Sequence, residues 1–150
     1  MRVRRLPRPS QRLSRPPSFP AIMLGTADVM AFVATKDAER AKTFYAQTLG
    51  LRLIADERYA LVFDANGTML RVQKVRQVHP APYTALGWKV SDIRGTVRAL
   101  IDKGVTFLQI GFPGQDALGI WAADDGTMVA WFKDPDGNTL SLSQFPASPL

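Results

Sequence analysis

One pattern occurs twice in this sequence: a strand-like apolar segment, a capped helix with a glycine stop, and further short strands around a turn. In the first copy Asp37 is a suitable helix N-cap and Gly50 a suitable stop; in the second copy Asp92 and Gly104 take these places. The two aspartates are 55 residues apart and the two glycines 54. Because one such unit is too small to bury its own sheet, the repeat predicts a single domain with a pseudo-twofold axis.

Each copy is predicted to have the element order βαβββ. Apolar residues at helical spacing mark the two helices, and alternating or apolar runs mark the strands. The helical positions are Ala38, Ala41, Tyr45 and Leu49, then Ile93, Val97, Leu100 and Ile101. The strand-like runs are Ala27–Thr35, Leu51–Ala55, Tyr59–Phe63 and Thr68–Val75, then Thr84–Val90, Val105–Ile110, Thr127–Lys133 and Thr139–Phe145. The turns at 64–68 and 134–138 differ by 70 positions, so the second copy carries about fifteen extra residues.

Composition excludes several kinds of site. The chain of 150 residues has no cysteine and one histidine, His79. A disulfide scaffold, thiolate catalysis and cysteine-type metal sites are therefore excluded, and a site with several histidine ligands cannot be built.

The net charge of +6 arises in residues 1–20, which hold six arginines and no acid. The rest is formally neutral, so a basic nucleic-acid-binding face is not indicated and nucleic acid is an unexpected partner.

Residues 1–22 are predicted to form a disordered tail rich in arginine and proline. Two interpretations stay open: a functional segment that faintly resembles an organelle transit peptide, and a translation start placed too early, with Met23 as the true start. The tail has no apolar run long enough for a signal-peptide core or a membrane span. We therefore expect a cytoplasmic protein that does not bind membranes.

Three segments carry a resemblance to a known family. The segments are FYAQTLGLRL (44–53), ATKDAERAK (34–42) and AWFKDPDGNTLSLSQ (130–144). They closely resemble the vicinal oxygen chelate superfamily, which includes glyoxalase I, bleomycin resistance proteins and extradiol dioxygenases. The resemblance covers 27–145. It implies an α+β fold in which two βαβββ modules form a curved mixed-sheet cup with the helices on the outer face. One domain, 23–150, would comprise module one (27–76), a linker (77–82) and module two (83–146).

The resemblance also implies where a metal would be held. In metal-dependent members the ligands come from the first and last strand of each module, which in this sequence gives Met30, Arg71, Ala85 and Ser141. Thioether, guanidinium, methyl and hydroxyl groups do not replace imidazole and carboxylate ligands. We therefore expect no metal, no other cofactor and no catalytic residue of the family type.

Strand alternation predicts what the cup contains instead. If Met30 and Arg71 face inward, the opposite face of each strand is apolar, as helix packing requires. Its residues are Val29, Ala31, Val33, Leu70 and Val72 in module one, and Leu86, Trp88, Val90, Leu140 and Leu142 in module two. The predicted ligand-binding residues are Met30, Phe32, Arg71, Gln73, Lys89, Trp131 and Ser141. Further aromatic candidates are Tyr59 and Trp121.

Each of these candidates also has a structural interpretation that does not involve a ligand. Arg71 could bind an anionic or carbonyl-bearing ligand, or it could pair with a nearby acid such as Glu57. Trp121 and Trp131 could stack on a flat ligand, although large aromatics are more often packing residues. The motif DPDGN (134–138) is turn chemistry rather than a metal site.

Three functions remain from different classes. The first is a metal-independent small-molecule binding protein of the sequestering type, a homodimer that takes a neutral or anionic, aromatic ligand. The alternative is an enzyme, a glyoxalase-like lyase or dioxygenase relative with a divergent active site. The third is an interaction module in which the arginine-rich tail binds nucleic acid or protein. The binding protein is the working hypothesis, because no inward-facing general base is evident in the sequence.

Overall fold

The computed structural model describes residues 22–147, so the tail predicted for residues 1–22 lies outside the described residues except for its last position. The elements in chain order are β1 (Met30–Thr35), α1 (Ala38–Thr43), β2 (Arg52–Asp56), β3 (Ala60–Ala65), β4 (Thr68–Lys74), β5 (Leu86–Lys89), α2 (Ile93–Asp102), β6 (Trp121–Ala122), β7 (Met128–Lys133) and β8 (Thr139–Gln144). In the described part of the chain, no helix is long and apolar enough to cross a membrane.

The strands form two four-stranded mixed sheets with the same topology. The order is β1-β4-β3-β2 in one sheet and β5-β8-β7-β6 in the other. In each sheet the two strands that come first and last along the chain, β1 with β4 and β5 with β8, pair in parallel. The other neighbouring strands pair antiparallel. Strands β1 and β5 are in contact where the sheets meet. The α+β fold of two βαβββ modules is thus confirmed.

In both copies the predicted N-cap aspartate and the predicted stop glycine have the expected local structure. The carboxylate of Asp37 accepts a hydrogen bond from the backbone N–H of Arg40 at 3.2 Å, and that of Asp92 accepts one from Gly95 at 3.0 Å. Gly50 and Gly104 both have left-handed backbone, with φ of 76° and 93°, which glycine adopts without steric cost.

The first helix differs from the prediction in its second half. After Thr43 the chain forms a π-helical turn over Phe44–Thr48, closed by a 2.9 Å hydrogen bond from the backbone N–H of Leu49 to the carbonyl of Phe44. The apolar spacing continues through this turn, so Tyr45 is still fully buried. Side-chain periodicity identifies the buried face but does not distinguish an α-helical from a π-helical end.

One hydrophobic core joins the two modules. It contains the helix-facing residues of both sheets together with helix residues from both modules, which places the other face of each sheet away from the core. The buried strand residues predicted for the helix side are Val33, Leu70, Val72, Leu140 and Leu142. Val29 was expected among them, but it is exposed because β1 begins only at Met30.

A buried polar network also links the modules. The Tyr45 hydroxyl donates a 2.7 Å hydrogen bond to the carboxylate of Asp134 in the turn before β8. The Asn138 side-chain amide donates to the same carboxylate and to the carbonyl of Ala34, both at 2.8 Å. These bonds hold the turn of module two against the helix and first strand of module one.

The segment after α2 departs from the predicted repeat. Val105–Ile110 stands where the second strand was expected, but it makes only one isolated bridge, between Phe107 and Phe132. The ring of Phe107 packs on that of Phe132 with centroids 5.3 Å apart and is buried in the core. The fourth strand of the sheet is instead Trp121–Ala122, which follows the extra residues.

Candidate functional site

The face of module one that points away from the helices is half-exposed and largely apolar. The pairing of β1 with β4 places Met30 opposite Met69 and Phe32 opposite Arg71. Met30, Phe32 and Met69 keep 47%, 44% and 42% of their surface exposed. Gln73, another predicted ligand-binding residue, lies opposite Ala34 on the same face and is exposed. The structure therefore brings four of the predicted residues together on two neighbouring strands.

Arg71 forms the ion pair that was one of its two alternatives. A guanidinium nitrogen, Nη2, lies 3.1 Å from Oε2 of Glu57, and the Arg71 side chain is one quarter exposed. The charge of Arg71 is thus already balanced by a neighbouring carboxylate, which weakens its pull on an anionic ligand.

The corresponding face of module two carries Trp131 and Ser141, which lie opposite each other on β7 and β8. Ser141 is buried, and its Oγ accepts a 3.2 Å hydrogen bond from the Thr84 hydroxyl. Lys89 is exposed at the end of β5, opposite Ser143, and it also borders a cleft on the helix side of the sheet. Within residues 22–147, no hydrogen bond or ion pair joins this group of predicted residues to the group on module one.

Three aromatic rings cluster at the edge of the second sheet. Trp121 and Trp131 have ring centroids 6.2 Å apart, and Phe112 lies 5.8 Å from the first and 6.0 Å from the second. Trp121 was an aromatic candidate, but Phe112 was missed. It comes from the extra residues of module two, where Gly111 and Gly114 have left-handed backbone. An aromatic residue within a Gly-Phe-Pro-Gly segment was the available signal.

Phe112 separates two open clefts. The first, of about 490 Å³, lies between the linker, the extra residues and strands β7 and β8. The second, of about 630 Å³, is lined by Phe112, Trp121 and the loop after β6. Both are large enough for a small organic ligand.

The two clefts carry opposite charges. Lys133 lines the first, while Asp124 and Asp125 line the second. The backbone N–H of Thr127 donates a 2.9 Å hydrogen bond to Asp125 and lowers the pKa of that carboxyl below its usual value, so Asp125 stays charged. In the part of the chain that the structure describes, Lys133 has no carboxylate within ion-pair distance.

The residues at the positions of the family metal site do not fit a divalent cation. Met30, Arg71, Ala85 and Ser141 provide no imidazole or carboxylate, and the guanidinium of Arg71 places positive charge there. Across residues 22–147, no group of three or more His, Cys, Asp or Glu side chains is arranged to hold a metal.

Other residues with possible chemical roles have structural surroundings. His79 is exposed in the linker. Trp88 stacks on Phe132 on the helix side of its sheet, with centroids 6.5 Å apart. Tyr59 is exposed beneath the guanidinium of Arg58, which lies 5.2 Å from the ring centroid. The carboxylate of Asp134 accepts hydrogen bonds from backbone and side-chain donors of its own turn, as turn chemistry requires.

Comparison with known families identifies the group to which these modules belong. The model of the Glyoxalase/Bleomycin resistance protein/Dioxygenase superfamily matches residues 26–142. The chain belongs to this superfamily. The resemblance seen in the sequence is thereby confirmed, whereas comparison with curated proteins gives no match.

Solved structures of this superfamily share the fold. A glyoxalase family protein from Enterococcus faecalis has a TM-score of 0.64 at 18% identity, covering 81% of this chain and 99% of its own. A lactoylglutathione lyase from Agrobacterium tumefaciens has 0.61 at 14% identity, covering 80% and 95%. A fosfomycin resistance protein from Listeria monocytogenes has 0.62 at 12% identity, covering 79% and 92%. These identities show a common fold only, because superfamily members differ in activity.

Proposed function

We propose that this protein binds a small aromatic molecule, neutral or anionic, without a metal ion, and that it acts by sequestering that molecule. The observation that carries the proposal is the cluster of Phe112, Trp121 and Trp131, which stands between two open clefts on the face opposite the helices. Grouped aromatic rings at an open cleft are typical of sites that bind flat ligands.

The absence of family-type ligands at four positions supports metal independence. A Lewis-acid mechanism needs a cation held by imidazole or carboxylate groups, and Met30, Arg71, Ala85 and Ser141 provide neither. This argument concerns the chemistry of the donors, so it applies equally when the two modules of one cup come from different subunits.

The state of two carboxylates of module one favours binding over catalysis. Glu57 is paired with Arg71, and Asp64 lies 3.1 Å from Arg52. The backbone N–H of Gly67, with Arg52 as a second contributor, lowers the pKa of Asp64 below its usual value. A carboxylate with a depressed pKa is a weak general base at neutral pH.

A thermal-shift screen of the full chain tests the proposal. The compounds are matched sets of aromatic anions, neutral aromatics and aromatic cations, each measured with and without EDTA. We expect anionic or neutral aromatics to raise Tm equally in both conditions, because ligands that bind only the native state stabilise it. The exposed-loop variant Phe112→Ala should reduce the shift. Binding that EDTA abolishes, or conversion of a bound compound to product, would instead support the lyase or dioxygenase alternative.

We propose in addition that the protein is a homodimer. The half-exposed apolar side chains of Met30, Phe32 and Met69 favour a covered face, since such patches are typical of interaction surfaces. Native mass spectrometry of the full chain should give twice the subunit mass, and Phe32→Lys should shift the protein toward monomer. A monomer at all accessible concentrations would contradict this.

A further inference from the structure

Two clefts of opposite charge flank Phe112, and only one of them suits an anion. We infer that the cleft beside Lys133 is the ligand site, that it selects aromatic anions, and that Lys133, rather than Arg71, is the counter-ion. This inference rests on the proposed function and specifies its site and its ligand class.

The walls of this cleft combine aromatic surface with hydroxyl groups. Phe112 and Trp131 line one side and meet edge to face, with an interplanar angle of 76°. Tyr83 adds a hydroxyl from the linker side, whereas the hydroxyls of Thr84 and Thr139 already donate to Ser141 and to the carbonyl of Ala81. A flat ring can pack on the aromatic side chains while the Lys133 ammonium group and the Tyr83 hydroxyl bind a terminal anionic group.

Lys133 is the charged residue among those that line this cleft. It lies opposite Thr139 on the same sheet face as Trp131, since the two β7 residues are two positions apart. Within the described residues it has no ion-pair partner, whereas Arg71 has Glu57. An unpaired ammonium group gives an incoming anion a charge-assisted hydrogen bond without first breaking an existing pair.

Further charged residues lie on the other side of Lys133. On its other side Lys133 borders a cleft that also contains Arg40 and Lys103. Asp134 lies in that cleft too, but its carboxylate is engaged by Tyr45 and Asn138. The Asp134 carboxylate is therefore not available to neutralise Lys133.

The second cleft is lined by negative rather than positive charge. Asp124 and Asp125 line it, and the lowered pKa of Asp125 keeps that carboxylate charged. The same aromatic cluster thus presents apolar surface to both sides, while charge directs an anion to the Lys133 side. Phe112, on a loop with two left-handed glycines, forms the partition between the clefts.

The test uses two probes with the same rings and different charge. They are 8-anilinonaphthalene-1-sulfonate, an anion, and N-phenyl-1-naphthylamine, which is neutral. Binding to the full chain is followed by energy transfer from tryptophan to the probe. In Lys133→Met we expect the affinity for the anion to fall about tenfold, the effect of losing one charge-assisted contact of moderate strength. Affinity for the neutral probe should stay unchanged, and Lys133→Arg should restore binding of the anion.

Arg98→Met is the matched control, because it removes one positive charge from an exposed position on α2, on the helix side of the sheet. It should leave both affinities unchanged. Equal losses in Lys133→Met and Arg98→Met would overturn the inference, because they would indicate a general charge effect. A loss in Arg71→Gln with none in Lys133→Met would also overturn it while leaving the proposed function intact. Failure of both probes to bind the unmodified protein would count against the proposed function itself.

Discussion

At the scale of single residues, the hydroxyl of Tyr45 makes a buried polar contact between the modules. It lies 2.7 Å from the Asp134 carboxylate, and the Tyr45 side chain is fully buried. Tyr45→Phe removes the donor but leaves Asp134 its bonds from Asn138. We expect the free energy of unfolding in guanidinium to fall by about 1.5–3 kcal/mol, the usual effect of losing a buried hydrogen bond to a charged group. Tyr59→Phe, at an exposed ring, is the control and should have no effect.

The same residue predicts sensitivity to alkali. Burial, followed by the nearby Asp134 charge, raises the pKa of Tyr45 well above its usual 10.0. The folded protein keeps the Tyr45 hydroxyl protonated above pH 10.0, whereas in the unfolded chain the same hydroxyl loses its proton as the pH rises above 10.0. The free energy of unfolding should therefore fall more steeply above about pH 10 in the unmodified protein than in Tyr45→Phe. Parallel pH profiles would contradict this.

The ion pairs of Asp56 predict that the stability of the protein changes at acidic pH. It bridges Lys74 on β4 and Lys42 on α1, and the hydrogen bonds from these two residues lower the pKa of its carboxyl below the usual 3.8. A depressed pKa stabilises the fold above pH 3.8, and this stabilisation is lost as the pH falls through the folded-state pKa.

We therefore expect Asp56→Asn to be less stable than the unmodified protein at neutral pH, with the difference shrinking in strong acid and in high salt. Urea unfolding across a pH series measures this. Asp28→Asn, which removes an exposed carboxylate outside these ion pairs, should show no such convergence. A constant difference between Asp56→Asn and the unmodified protein at all pH values would exclude the ion-pair explanation.

At the scale of elements, Asp92 and Gly95 at the start of α2 are predicted to be coupled. A Cβ on Gly95 would overlap with the Asp92 carboxylate that caps the helix. Gly95→Ala should gain up to about 1 kcal/mol of helix propensity, but it displaces a cap worth about 1 kcal/mol. In the Asp92→Ala background the cap is already absent, so the same substitution should stabilise the protein.

A double-mutant cycle on unfolding free energies measures this coupling. We expect an interaction energy of about 1 kcal/mol between the two positions. Additive effects would show that the carboxylate moves aside without losing its bond to the backbone.

Local signals were sufficient to predict most elements. The caps at Asp37 and Asp92 and the glycine stops follow from backbone chemistry that involves a few neighbouring residues, so sequence determines them directly. The prediction of a strand at Val105–Ile110 was wrong, because the conformation of this segment depends on a residue distant in sequence: Phe107 packs on Phe132. Tertiary packing overrode the strand propensity of the segment.

At the scale of the whole molecule, strand alternation predicted which residues share a face of each sheet. Phe32 and Arg71 lie opposite each other, as do Trp131 and Ser141. Alternation does not predict what approaches these faces from elsewhere in the chain. The position of Phe112 depends on how the extra residues fold back. Whether Lys133 has an ion-pair partner among residues 22–147 depends on where the carboxylates of that part of the chain lie. Ligand binding by the predicted residues stays a prediction.

The central claim is that this superfamily member binds its ligand without a metal ion. Native mass spectrometry tests it most directly: the full chain is prepared without chelator and offered nickel, zinc, manganese and ferrous iron in turn. Because the family ligand positions hold Met30, Arg71, Ala85 and Ser141, we predict that no metal binds in stoichiometric amount. One tightly held metal ion per subunit would contradict the account and would direct the work to lyase and dioxygenase assays.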